Sequence, residues 1–368
     1  MSDPRSQDQY DWLYGKPDAS APPPPPPRRG GSDLPPPNLP PPGRGGGGSG
    51  RPRRKRRAPR LLLALVLAWV LFLVAIPLYA WSQIQKVDAT PDGDRPGQQP
   101  GTTYLLVGSD SREDLSEAQR AELTTGDAAG GRTDTILLLH TGSGPTLLMS
   151  IPRDSLVDIP GNGRTKINAA YAFGGPQLLV QTIEQNTGIR IDDYVEVGFG
   201  GLVDVVDALG GVEICPEEAL QDKDSGLDVE AGCQNADGPT ALAFARNRKS
   251  FATGDIQRVQ NQREVIGSIG QKARSPLTVL NPVRYARVGT SAASSLRIGE
   301  DVGPIALARF ALALSSAMGG NGLNCTVPVQ DFEVNWDAQR APQMFDLIKT
   351  DRTADIGDLC TEDGLPAS

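Results

Sequence analysis

The pattern of apolar and polar positions changes character twice along the chain. No apolar periodicity is present up to residue 60, the stretch from Leu61 to Trp81 is uncharged and almost wholly apolar, and from about residue 102 short apolar runs alternate with polar stretches. Tyr104 to Val107, Thr135 to His140 and Thr146 to Ile151 are apolar or β-branched runs of strand length, and Gly142-Ser143-Gly144-Pro145 reads as the turn that joins the last two. Pro176 to Asn186 places Leu178, Leu179, Thr182 and Ile183 at helical spacing, with Gly188 just past the end. Tyr194 to Phe199 predicts a strand, Leu202 to Leu209 a helix stopped by Gly210-Gly211, and Val212 to Cys215 another strand. Alternation of this kind predicts an α/β fold in which helices pack on a mostly buried sheet.

Residues 61–81 are about as long as the roughly 20 helical residues a bilayer core requires. Arg51, Arg53, Arg54, Lys55, Arg56, Arg57 and Arg60 directly precede them, which predicts a transmembrane helix with the basic side in the cytoplasm and the rest of the chain outside. A cleaved signal peptide would have a shorter apolar core nearer the start of the chain. Residues 1–60, with Pro22 to Pro27, Pro35 to Pro37 and Gly45 to Gly48, hold too few apolar side chains to offset the entropy of ordering and read as a disordered basic cytoplasmic tail. Residues 82–101, rich in Pro and Gly, read as a spacer, residues 102–352 as one large domain, and 353–368 as a C-terminal tail. The net charge of −8 hides an asymmetry: residues 1–60 carry 12 Lys/Arg against 5 Asp/Glu, or +7, so the remainder sums to −15. An acidic exported domain argues against nucleic acid as a partner and makes any cluster of arginines within it stand out.

Most catalytic signatures are missing. His140 is the only histidine and sits in an apolar strand run, where a structural role is expected. The four cysteines lack the close pairing of zinc sites, and no GxxxxGK[ST] occurs. What remains is a set of carboxylates and arginines at strand ends. If residues 135–140 and 146–151 form a hairpin, the start of the first strand and the end of the second share one sheet edge, so Asp134 and Arg153 become neighbours. Asp110 joins them if the strand at 104–107 pairs antiparallel with its successor. Two carboxylates at an open corner suit magnesium, which takes oxygen ligands and leaves positions for water and phosphate. Asp in such loops also caps helices and makes turns, so neither tripeptide is specific by itself.

Arg246 and Arg248 lie two apart, on one side of an extended chain. In the helix predicted from about Asp255 to Gly270, Asp255, Arg258 and Gln262 fall in a narrow arc that continues the apolar stripe of Val265, Ile266 and Ile269. Glu264, Gln257, Asn261 and Ser268 are expected on the opposite, solvated face. The polar trio then faces either a buried ion-pair network or a polar pocket, and its spacing leaves both open.

Taken in order, Leu105-Leu106-Val107-Gly108-Ser109-Asp110-Ser111-Arg112, Gly131-Arg132-Thr133-Asp134-Thr135, Ser150-Ile151-Pro152-Arg153-Asp154 and Lys166-Ile167-Asn168-Ala169-Ala170-Tyr171 resemble the LytR-CpsA-Psr family. So do Val203 to Val212 with its Leu209-Gly210-Gly211-Val212 ending, and Ala245-Arg246-Asn247-Arg248-Lys249 followed by Gly254-Asp255 and Arg258. The blocks span about residues 102–275, and the abundance of Ala, Gly and Arg suggests an actinobacterial type. The resemblance implies a three-layer α/β/α sandwich with a central mixed sheet, an apolar groove for a polyprenyl chain and a polar mouth for its pyrophosphate. It implies that Asp110 and Asp134 hold Mg2+, that Arg132, Arg153, Lys166, Arg246, Arg248, Arg258 and Gln262 surround the phosphates, and that Asp255 belongs to the same site. Asn261 departs from the arginine many relatives carry there, and a further C-terminal domain common in actinobacterial members is expected to be absent.

The activity implied is phosphotransfer of a glycopolymer from polyprenyl pyrophosphate to peptidoglycan at the cell membrane. Two other readings stay open: hydrolysis of the same pyrophosphate, and a non-catalytic lipid-binding or regulatory role. In an exported domain Cys215 is expected to pair with Cys233 and Cys325 with Cys360, each pair closing a modest loop, against the rival of four free cysteines.

Overall fold

The computed structural model describes residues 58–109, 133–222, 226–247, 255–330 and 335–366. Helix α1 (Ala58–Trp81) is a 24-residue apolar helix, and none of its most apolar window is buried against the protein. An exposed apolar surface of that length has the character of a membrane span rather than of a core helix.

Beyond it lies a mixed seven-stranded sheet of β1 (Gln85–Val87), β2 (Thr102–Ser109), β3 (Thr133–Thr141), β4 (Leu147–Ser150), β7 (Asp193–Gly198), β12 (Leu296–Gly299) and β13 (Leu323–Thr326), in the order β1-β12-β7-β2-β3-β4-β13. The pairs β2–β3 and β3–β4 are antiparallel, as the hairpin argument requires, whereas β2–β7 and β4–β13 are parallel. Side chains alternate between faces. Leu105, Val107, Ile136, Leu138 and Met149 pack on one side under α2 (Asn168–Thr187) and α9 (Arg340–Lys349). Tyr104, Leu106, Leu137, Leu139 and Leu148 face α8 (Pro304–Ser316) on the other. The result is a three-layer α/β/α arrangement.

A satellite layer adds the short strands β8 (Val212–Ile214), β9 (Leu220–Asp222), β10 (Leu227–Val229) and β11 (Gln234–Ala236) with α3 (Phe199–Ala208) and α4 (Gly238–Arg246). Its core of Val206, Leu209, Val212 and Phe244 packs on Val265 of α5 (Asp255–Ala273). The disulfides are Cys215–Cys233 and Cys325–Cys360. The first holds the satellite layer, and the second ties β13 to the last residues of the fold.

Three expectations need correction. The predicted helix from Pro176 is preceded by helical turns from Asn168, broken at Gly174–Gly175, where Gly175 takes φ 62°. Its end is as expected, with Gly188 at φ 70° donating to Glu184 O. The stretch read as a spacer is part of the fold: β1 pairs with β12, and Arg95 donates to buried Glu184 through Nε (3.0 Å) and Nη2 (2.7 Å). The C-terminal stretch also folds, since Ile356 is buried and Thr361 bridges Thr326. Composition hides both, because each partner lies far away in sequence.

Candidate functional site

Between the α8-facing side of the sheet and α5 lies a cavity of about 2000 Å³. One part of its wall is apolar, with Leu106, Ile266, Phe310, Leu314 and Met318, and another is polar, with Arg153, Lys166, Arg246, Gln262 and the carboxylate of Asp154. The strand ends explain this gradient. β2 stops at Ser109, directly before Asp110, and Ser109 lies opposite Thr133 after a register shift at Gly108, so the backbone of Asp134 sits at the same sheet edge. Gly108 has to be glycine, because a Cβ there would come within 2.9 Å of the Thr135 side chain that lies over it.

The Thr135 hydroxyl donates to Gln262 Oε1 at 2.8 Å, which fixes the amide and leaves its nitrogen as a twofold donor. Arg153 follows the end of β4, with Nε 3.7 Å from Asp154, and Lys166 Nζ reaches the same carboxylate at 2.9 Å. Lys166 closes the small hairpin of β5 (Leu156–Ile159) and β6 (Gly163–Lys166). Arg246 ends α4, where a cation also suits the negative end of the helix dipole.

The structure therefore brings Arg153, Lys166, Arg246 and Gln262 to one cavity mouth and places the backbone of Asp134 beside them. Asp255 and Arg258 occupy the first turn of α5, Arg258 one turn before Gln262. Asp110, Arg132 and Arg248 lie outside the described residues. Along α5, Gln262, Ile266, Ile269 and Ala273 all line the cavity, so the stripe that begins with the polar trio faces a pocket at Gln262.

The opposite face of α5 is buried at Asn261 and partly covered at Glu264 and Ser268, while the Gln257 side chain lies outside the described residues. Asn261 is 2% exposed and donates to Phe244 O at 3.1 Å, Glu264 accepts from Cys215 N, and Ser268 donates to Glu213 O. The satellite layer covers the side that a two-faced helix would turn to water. Sequence reasoning also missed Arg263, whose Nη2 donates to Ser150 Oγ (2.9 Å) and Cys325 O (2.7 Å), pinning α5 to the ends of β4 and β13. Burial lowers its guanidinium pKa, partly opposed by Glu362.

A second missed group lies beneath the strand ends. Glu196 is 1% exposed and accepts from Tyr171 Oη (2.8 Å) and Tyr194 Oη (2.6 Å). Burial, then the nearby carboxylate, pushes the Tyr171 hydroxyl pKa up, against a hydrogen bond with Ser109 that lowers it. This network props the last residue of β2 from below. His140 is structural, as expected: it is buried, with Nδ1 2.9 Å from Thr103 Oγ1 and Nε2 3.3 Å from Asp351. Among the described residues, the one group with metal-ligand proximity, Glu213 with Cys215 and Cys233, has both sulfurs in a disulfide.

The chain matches the LytR_cpsA_psr family over residues 82–302. It is 45% identical over 294 residues to the probable cell wall biosynthesis protein LcpB of Corynebacterium glutamicum, covering 77% of this chain and 70% of that protein. It is 34% identical over 220 residues to the polyisoprenyl-teichoic acid–peptidoglycan teichoic acid transferase TagU of Enterococcus faecalis, covering 59% and 67%. A LytR-Csp2A-Psr enzyme from Actinomyces oris superposes with a TM-score of 0.58 over 73% of this chain and 96% of its own, at 22% identity, a likeness of fold. The family match over more than half of the chain and the 45% identity to a relative covered to 70% of its length show that the chain belongs to the LytR-CpsA-Psr family.

Proposed function

We propose that the protein transfers a glycopolymer from a polyprenyl-pyrophosphate carrier to peptidoglycan, as a magnesium-dependent phosphotransferase on the outer side of the cell membrane. The observation that carries this reading is the single cavity whose mouth is basic and amide-lined and whose interior is apolar. A lipid pyrophosphate has the same division, an anionic head on a long hydrocarbon chain. The names of the relatives, cell wall biosynthesis for one and teichoic acid transfer to peptidoglycan for the other, support the same substrate class. The basic run before Leu61 supports an orientation with the amino terminus in the cytoplasm.

Magnesium fits the donor set, because Asp134 belongs to β3 and Asp110 follows the last residue of the neighbouring β2 in the chain, and both supply hard oxygen ligands. Bound there, it would neutralise pyrophosphate charge and leave coordination positions for substrate oxygens. Arg153, Lys166 and Arg246, with Arg132, Arg248 and Arg258, hold the two phosphates and stabilise charge on the transferring and leaving groups. Gln262 donates its amide N–H groups to phosphate oxygen, and Asp255 orients Arg258, the arginine of the first turn of α5. A sugar hydroxyl of peptidoglycan attacks the sugar-bearing phosphorus, the bond between the phosphates breaks, polyprenyl phosphate departs, and a carboxylate at the mouth takes the hydroxyl proton. The test is product analysis with purified full-length protein, lipid-linked donor, peptidoglycan and Mg2+. Joined polymer is expected; release of lipid phosphate without joining points to a hydrolase, and unreacted donor to a binding or regulatory role.

A further inference from the structure

Helix α1 contains Pro77, which has no N–H, so the carbonyl of Leu73 four residues earlier loses its helical donor. In hydrocarbon no water can replace that donor. The folded domain supplies it: Tyr285 Oη donates to Leu73 O at 3.1 Å. Tyr285 belongs to α7 (Pro282–Ser295), which follows the short α6 (Pro276–Leu280). The ring of Phe72 lies 6.0 Å from that of Tyr285, and a Cβ on Gly289 would come within 3.2 Å of Ile76, so α7 lies close along the second half of α1.

Depth decides what this contact means. The apolar stretch begins after Arg60, and from Leu61 to Leu73 a helix rises only about 18 Å. A hydrocarbon core is about 30 Å thick. If α7 stayed clear of the bilayer, α1 would be too short to cross it, so Tyr285 meets α1 below the membrane surface. The α6–α7 hairpin is dressed for that position. Leu277, Leu280 and Val283 are 74%, 68% and 58% exposed, an apolar surface continuous with that of α1. Between Glu264 and Glu300 the chain has no acidic residue, while Lys272, Arg274, Arg284, Arg287 and Arg297 are basic, in a domain that is otherwise acidic. Arg274 and Arg287 are exposed on either side of the apolar tip, where long cationic side chains reach anionic headgroups.

We propose that the α6–α7 hairpin is a wedge sunk into the leaflet next to the domain, held against the transmembrane helix by Tyr285 on the carbonyl that Pro77 leaves open. The occupant of its exposed apolar face is the acyl region of an anionic bilayer. The apolar end of the cavity reaches the same place, since Ala273 just before α6, Ala292 of α7 and Leu312 of α8 line it. Resting on the transfer reading above, the wedge forms a portal through which a polyprenyl chain slides from the leaflet into the cavity without crossing water.

The test uses the full chain in bilayers of phosphatidylglycerol and phosphatidylcholine, with a spin label at Leu280→Cys and, as reference, at Asp346→Cys, whose side chain is 70% exposed on α9. The Leu280 label is expected to be several-fold less accessible to a water-soluble nickel relaxant than the Asp346 label, and more accessible to oxygen. Tyr285→Phe should raise nickel access at Leu280, and adding Pro77→Ala, which restores the helical donor, should bring it back. Equal nickel access at Leu280 and Asp346 overturns the wedge. This readout needs no turnover, so a water-exposed Leu280 in a protein that transfers glycopolymer rejects the wedge alone, and a lipid-exposed Leu280 in a protein that transfers nothing rejects the transfer reading alone.

Discussion

The two faces of the central sheet receive alternate side chains of the same strands, yet one face is sealed and the other hollow. Under α2 and α9 the apolar residues form one buried cluster with only a small pocket of about 210 Å³ at its edge, and the prominent charge there, Glu184, is answered by two hydrogen bonds from Arg95 and one from Ile191 N. Under α8 and α5 the same alternation borders a cavity whose polar end carries Arg153, Lys166 and Arg246, the Gln262 amide and the Asp154 carboxylate. Glu184 is buried and enclosed by its partners, which marks it as structure, whereas Arg153 and Lys166 share Asp154 at the wall of an open cavity, where basic side chains can also meet an anionic ligand.

This contrast breaks most sharply at the mouth. Asp110→Ala, Asp134→Ala and Arg258→Ala should each lower transfer by roughly a hundredfold or more, the scale of losing a charge-stabilising group in a transition state. Their melting temperatures should stay close to that of the parent protein, and Arg258→Ala should even relieve crowding among like charges. Melting losses in step with activity would move these residues to the structural side. On the sealed face the pattern reverses. Arg95→Ala strands Glu184 and should cost roughly 3–5 kcal/mol. Denaturant unfolding measures the loss, and activity per folded molecule should be unchanged.

The smallest effect concerns His140, whose pKa is lowered by burial, against the opposing hydrogen bond and charge of Asp351. In the unfolded chain a histidine protonates near 6.5. Because the unfolded state takes up the proton first, stability should be complete above about pH 6.5 and be lost as pH falls through the lower folded titration. Asp351, whose burial is outweighed by hydrogen bonds from Ser143 and His140, has a lowered pKa and keeps its contribution down to more acid pH. His140→Gln should flatten the first of these two losses in a series of unfolding curves, and an unchanged slope would remove His140 as its source.

Much of this was legible in the sequence, for physical reasons that differ from part to part. The strands announce themselves because Leu105 and Val107 face one way and Tyr104 and Leu106 the other, and all four are buried. The sharing of one edge by the ends of β2, β3 and β4 follows from antiparallel pairing alone. The helical stripe from Gln262 to Ile269 is legible, but its pocket is not, since periodicity shows that a face is covered without showing what covers it. The burial of Asn261 was hidden for the same reason, because the satellite layer closes over the second side of α5. β1 and the residues after Arg352 join the fold through partners far along the chain, which local composition cannot reveal.

In the function proposed above, the hollow face holds a polyprenyl chain with its phosphates at the mouth. Each methylene it buries contributes roughly 0.8 kcal/mol, so affinity must depend on chain length. Calorimetry with the full-length protein and polyprenyl phosphates of two and four isoprene units tests this directly. The longer lipid should bind at least about tenfold tighter, and Ile269→Trp, which fills the apolar end, should erase the difference. Equal affinity for both lipids in the parent protein would contradict the account.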